Sequence, residues 1–138
     1  KRLDRPMPRI EEGLLLRAVA ASAIDISDGL VADLGHILEQ SRAGARIDLG
    51  RLPVSSAYRA HLHDAGWDLA LANGDDYELC FTVPPANLAA LEKIKTRFPG
   101  ITEIGLIESE PGLRILDAAG KPYVPGMTGH DHFSEKTK

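Results

Sequence analysis

The stretch Ala23-Ile24-Asp25-Ile26-Ser27-Asp28-Gly29-Leu30 decides how the chain is read. From Ala23 to Ile26 apolar and polar side chains alternate, the period of a short strand with one buried face. From Leu30 the period changes: Leu30, Leu34, Ile37 and Leu38 recur at helical spacing, with Asp33, His36 and Glu39 expected on the other side. A strand that turns at Ser27-Asp28-Gly29 directly into a helix gathers Asp25, Ser27 and Asp28 at one sheet edge, beside the free backbone N–H groups of a helix N-terminus. Two carboxylates and a hydroxyl so placed are hard oxygen donors that suit Mg²⁺ shared with phosphate oxygens. The same spacing also suits an N-cap at Ser27 or Asp28, with Asp25 a solvated strand end.

Working outward, Glu11 to Ala21 predicts a helix, with Leu14, Leu15 and Val19 as a partial stripe and Glu11 and Glu12 favourably placed in its first turn. Ala43-Gly44 stops the helix that begins at Leu30. Ala45 to Leu49 alternates as a strand, Ser55-Ser56 opens a further helix to about His63, and Gly66 closes it. Tyr77 to Val83 has the aromatic and β-branched content of a strand and ends at Pro84-Pro85. Leu88, Leu91 and Ile94 mark a helix that ends near Phe98-Pro99-Gly100. Ile101 to Ile107 and Leu113 to Leu116 read as strands, and Asp117-Ala118-Ala119-Gly120 as the turn of a hairpin ending near Tyr123-Val124. The segment from Pro125 onward reads as loop. Helices interspersed with strands, and a hairpin among them, predict an α/β domain of the α+β type: a layered fold with a mixed β-sheet covered by helices.

The chain has 138 residues, 43% of them hydrophobic and 26% charged, enough for one domain. A domain of about 150 residues buries roughly two-thirds of the surface its unfolded chain exposes, so no staple is required. The single cysteine, Cys80, excludes a disulfide scaffold and a zinc ribbon, and makes the cytoplasm the expected compartment. No apolar run approaches the roughly 20 residues of a membrane span, and no secretory signal is recognisable, so a soluble protein is expected. A net charge of −4 without a basic run interleaved with aromatics argues against nucleic acid. Residues 1–10, basic and spaced by Pro6 and Pro8, read as an interdomain linker, with the domain over 11–138.

A second acidic constellation is Gly74-Asp75-Asp76-Tyr77-Glu78-Leu79, with three carboxylates within four positions. Such crowding is unfavourable unless a cation or cationic ligand neutralises it, although a solvated turn with Tyr77 and Leu79 as core anchors fits the same residues. In the tail, Gly129-His130-Asp131-His132-Phe133 lacks the four converging ligands of a zinc site; Phe133 is an isolated aromatic of the kind that docks on a domain or a flat ligand. Cys80 reads as packing, His61 and His63 as decoration of a helix end, and Trp67 as a core or lid residue. A Gly-rich phosphate loop followed by Lys and a Gly-x-Ser-x-Gly elbow are both absent.

Taken in order, Asp25 to Leu30 and Gly74 to Pro84 closely resemble the C-terminal half of the thiamine-monophosphate kinase family, within a superfamily that includes aminoimidazole ribonucleotide synthetase and selenophosphate synthetase. Pro6 to Ile10, Gly44 to Ile47, Ile104 to Ile107 and Gly129 to Phe133 fit the same pattern. The resemblance implies a fold like the aminoimidazole ribonucleotide synthetase C-terminal domain. It further implies phosphorylation of thiamine monophosphate by ATP with Mg²⁺, giving thiamine diphosphate. It implies an N-terminal domain that supplies much of the ATP site, and a homodimer at full length. By position, Asp25 and Asp28 match Mg²⁺ ligands and Ser27 an ATP contact. Asp75 matches an acidic residue, often Glu, that contacts the thiamine substrate. In the family's Gly-aromatic-Asp-His-Phe pattern the stacking aromatic falls on His130, with Phe133 a second substrate-side candidate. No residue is implied to form a covalent intermediate. The alternatives are another ATP-dependent synthetase or maturation protein of the superfamily, and a non-catalytic ligand-binding domain.

Overall fold

The computed structural model describes residues 9–74 and 78–126, apart from the side chains of residues 64 and 65. Strand β1 (Ser22–Asp25) pairs antiparallel with β3 (Leu79–Thr82), Ile24 opposite Cys80 and Asp25 opposite Leu79. Because successive side chains of a strand point to opposite faces, β3 serves two apolar clusters. Cys80 packs with helix α2 (Leu30–Ser41) in the main core, while Leu79 and Phe81 pack against Leu16, Val19 and Ile94. Those last three come from helix α1 (Ile10–Leu16), the turn after it and helix α5 (Leu88–Arg97). The two-stranded ladder is thus a middle layer between α2 on one side and the α1–α5 pair on the other.

The mixed sheet is three-stranded, in the order β4-β2-β5. Strand β2 (Gly44–Asp48) runs antiparallel to β4 (Gly105–Glu108) and parallel to β5 (Gly112–Leu116). Ala45 and Ile47 of β2 and Ile115 of β5 enter the main core with Leu34, Ile37 and Leu38 of α2; Arg46 stays exposed on the outer face. The predicted strand from Ile101 is shorter than its apolar content suggested. Ile101 packs in the second cluster and Ile104 in the main core, so these residues pin a connection, and the ladder begins only at Gly105.

Ser55 caps helix α3 (Ser56–Ala65) by accepting from the Tyr58 N–H at 3.1 Å, and Gly66 ends it with φ 64°, both as the sequence predicts. A five-residue helix, α4 (Asp68–Ala72), follows unannounced; it is too short to display a periodic stripe, yet it buries Leu71 completely against α2. Helix α2 ends at Arg42 in the left-handed conformation, φ 52°, one residue ahead of the predicted Ala43-Gly44 stop. The Asp117–Gly120 turn is present, with Asp117 Oδ1 accepting from Ala119 N and Lys121 N, but the returning segment makes only an isolated bridge at Pro122. Among the described residues no helix is long and apolar enough to cross a membrane.

Candidate functional site

Asp25 is the last residue of β1 and is exposed. The ladder runs one step further, Ile26 N donating to the Glu78 carbonyl at 2.8 Å, and the chain then turns through Ser27, Asp28 and Gly29 into α2. That turn is held from inside. Asp33, in the first turn of α2 and only 2% exposed, accepts both the Ser27 N–H at 2.9 Å and the Asp28 N–H at 3.1 Å on one oxygen, Oδ2. The N-cap of α2 is Gly29, and no side chain caps it, so the reading of Ser27 or Asp28 as an N-cap is not realised.

Two glycines lock the turn against its neighbours. Gly29 has φ +115°, and a Cβ there would meet the backbone of Ala72, at the end of α4, at 2.8 Å. A Cβ on Gly74 would collide with the Ser27 carbonyl oxygen. The two acidic motifs, far apart in sequence, therefore touch through their backbones. One carboxylate of the second motif is engaged: the Arg9 guanidinium donates from Nε and Nη2 to the two oxygens of Glu78 at 3.0 and 2.8 Å, and from Nη1 to Glu12 at 3.2 Å. The hydrogen bonds to Glu78, foremost, raise the Arg9 pKa.

The side chains of Asp25 and Asp28 make no hydrogen bond or ion pair among the described residues. With the local amides turned inward to Asp33, these are two uncommitted hard donors at a sheet edge. That suits Mg²⁺, which is commonly held by one or two carboxylates plus phosphate oxygens and water. Among the described residues no group of three or more His, Cys, Asp or Glu side chains converges as a metal cage, so the remaining ligands would come from bound phosphates, water or other parts of the protein. Ser27 is exposed beside this pair. Asp75, His130 and Phe133 lie outside the described residues, as do Asp76, Tyr77 and residues 1–8 of the expected linker.

The bland readings elsewhere hold. Cys80 is buried in the main core, and burial, helped by the Asp33 charge, pushes its thiol up to about 11. Trp67 packs against the same core, and His61 and His63 sit exposed on α3. Sequence reasoning missed three residues. The helical pattern assigns Asp33 to the polar side of α2, yet it falls three after Leu30 and four before Ile37, squarely on the apolar stripe; that position is the available signal. Arg9 carried none, because its partner lies 69 residues away. Asp68 likewise gave no hint that it accepts the Tyr123 hydroxyl at 2.8 Å and the Gly126 N–H at 3.0 Å. Burial first, and then this bond, raise the Tyr123 pKa.

The fold is shared with hydrogenase maturation protein HypE from Escherichia coli, with a TM-score of 0.69 at 20% identity over 88% of this chain and 40% of that one. It is the aminoimidazole ribonucleotide synthetase-related fold, a mixed sheet covered by helices. Closer likenesses narrow the class. The thiamine-monophosphate kinase structure from Stenotrophomonas maltophilia superposes with a TM-score of 0.75 at 46% identity, over 83% of this chain and 37% of that one. AaThiL complexed with AMPPCP and TMP superposes at 0.68, with 32% identity over 94% and 40%. In sequence, 137 residues are 44% identical to Escherichia coli thiamine-monophosphate kinase, 97% of this chain and 42% of that enzyme. The chain is a homologue of the thiamine-monophosphate kinases, and it spans less than half the length of the curated relatives it matches. No family model matches it.

Proposed function

We propose that this chain is the C-terminal domain of a two-domain, cytoplasmic kinase that transfers the γ-phosphoryl group of ATP to thiamine monophosphate, forming thiamine diphosphate and ADP. The observation that carries the reading is the likeness to thiamine-monophosphate kinases over 97% of the chain. It is supported by the uncommitted Asp25 and Asp28 on the Asp33-held turn. Phosphoryl transfer asks a protein mainly for positioning and for cations against phosphate charge. Asp25 and Asp28 would hold Mg²⁺, whose chemistry is to neutralise charge on the phosphates of ATP and substrate. Ser27, exposed between them, contacts ATP. Asp75 would contact the thiamine substrate, whose cationic thiazolium gives a carboxylate electrostatic reason to be there; His130 and Phe133 would be further substrate contacts. No residue of the chain forms a covalent intermediate. The chain's own N-terminal domain supplies the rest of the ATP site, and the full-length protein is a homodimer.

The test is an assay of the full-length protein with ATP, Mg²⁺ and thiamine monophosphate, following thiamine diphosphate by chromatography. Product formation supports the reading. Its absence from folded, Mg²⁺-loaded protein overturns it in favour of another ATP-dependent reaction on the same fold; a protein that binds ligand without turning over ATP would be a binding domain.

A further inference from the structure

We propose that Asp33 is a positioning residue for the Asp25–Asp28 metal-binding turn, acting through the backbone of Ser27 and Asp28; this rests on the reading of Asp25 and Asp28 as Mg²⁺ ligands. Asp33 is the one buried charged side chain among the described residues. It occupies a place in the α2 stripe, between Leu30, Leu34 and Ile37, where an apolar side chain would complete the core without the desolvation that a carboxylate suffers. What the carboxylate gains is specific. Its Oδ2 takes two consecutive amides, those of Ser27 and Asp28. Backbone amides accepted by a single oxygen fix the direction of both residues, and hydrogen bonds to a carboxylate are stronger than those to a neutral acceptor.

The rest of the turn is shaped to leave this bond as its internal fastening. Gly29 lies against Ala72 and Gly74 against the Ser27 carbonyl, so close backbone packing holds the turn from outside. Among the described residues the side chain of Asp28 makes no bond that would orient it. The Asp33 carboxylate therefore stands to the oxygen donors as an outer-shell partner stands to a ligand, although it works through amides instead of through the ligating side chain.

The experiment measures binding, not turnover. In the full-length protein, free Mn²⁺ is counted by electron paramagnetic resonance during titration in the presence of AMPPCP, for the wild type, Asp33→Ala, Asp33→Asn and Asp25→Asn; Mn²⁺ shares the preference of Mg²⁺ for oxygen ligands. Asp33→Ala is expected to weaken Mn²⁺ binding about tenfold or more, and Asp33→Asn, which keeps one acceptor oxygen, to fall between it and the wild type. A merely structural role would lower the number of binding sites per protein and leave their affinity unchanged. Should Asp33→Ala fail to fold, the nearly isosteric Asp33→Asn carries the test. Wild-type affinity in the folded Asp33 variants, with affinity lost in Asp25→Asn, overturns the positioning role and leaves the metal reading intact. Wild-type affinity in Asp25→Asn as well overturns both.

Discussion

Among the described residues the side chains of Asp25 and Asp28 accept no hydrogen bond and pair with no cation, unlike most of the carboxylates around them. Asp33, Asp48, Asp68 and Asp117 all accept backbone amides, and Glu12, Glu78, Glu92, Glu103 and Glu108 pair with cations. Two partnerless side chains contribute little to stability, so Asp25→Asn and Asp28→Asn should leave the melting temperature of the full-length protein nearly unchanged. Turnover should fall by about 100-fold or more, because changes one step behind a metal ligand already cost 10–100-fold. Paired kcat and melting measurements check both halves of the expectation. Cys80 makes the opposite case, a residue whose chemistry is suppressed by its place. Burial pushes its thiol from the ordinary value of 9.0 up to about 11 in the folded chain. A raised pKa in the folded state means that its contribution is complete below pH 9 and is lost as the pH climbs toward 11. Denaturant titrations should therefore show stability falling over that window, with Cys80→Ala removing part of the slope. Native Cys80 should also react far more slowly with thiol reagents at pH 8 than it does after unfolding.

At the scale of elements, the site is a junction of three pieces: the β1–α2 turn, the end of α4 and the segment leading into β3. Each piece touches the next through backbone with no room for a side chain, at Gly29 against Ala72 and at Gly74 against Ser27. Gly74→Ala should therefore cost about 1–3 kcal/mol in a urea titration, the usual range for forcing a methyl group into packed space. It should also lower kcat by displacing the turn that carries Asp25 and Asp28. An alanine that left both stability and turnover at wild-type values would show that the two motifs do not abut. The Arg9–Glu78 pair ties the approach to α1 onto the start of β3. It is bidentate but part-exposed, so its share of stability is modest.

For the whole molecule, the β1–α2 turn offers two uncommitted donors and the described residues no convergent cage, while the relatives are more than twice as long. The 138-residue chain alone should form no thiamine diphosphate from ATP and thiamine monophosphate, since the reaction needs more phosphate-binding surface than these residues provide. Chromatography of the reaction mixture decides this, and product from the purified chain would overturn the two-domain reading. Several apolar side chains stand at the surface, Ile10 and Leu14 on α1 at 64% and 60% exposed and Leu106 on β4 at 52%.

Much of this architecture was legible in the chain itself, because local periodicity and turn chemistry are short-range properties. The alternation at Ala23–Ile26, the stripe from Leu30, the Ser55 cap and the Gly66 stop each specify an element without reference to the rest of the protein, and the ordered acidic motifs carried the family resemblance. What needed the tertiary structure is what depends on distant partners. The five residues of α4 owe their helix to the burial of Leu71, and Ile101 and Ile104 were drawn from a strand into two different clusters. The stripe position of Asp33 signals burial, but only the tertiary structure shows that it is there to accept the Ser27 and Asp28 amides. The contact of Gly74 with Ser27 brings the two acidic stretches together, and no local pattern encodes it, because it arises only when the β1–β3 ladder sets the register between them.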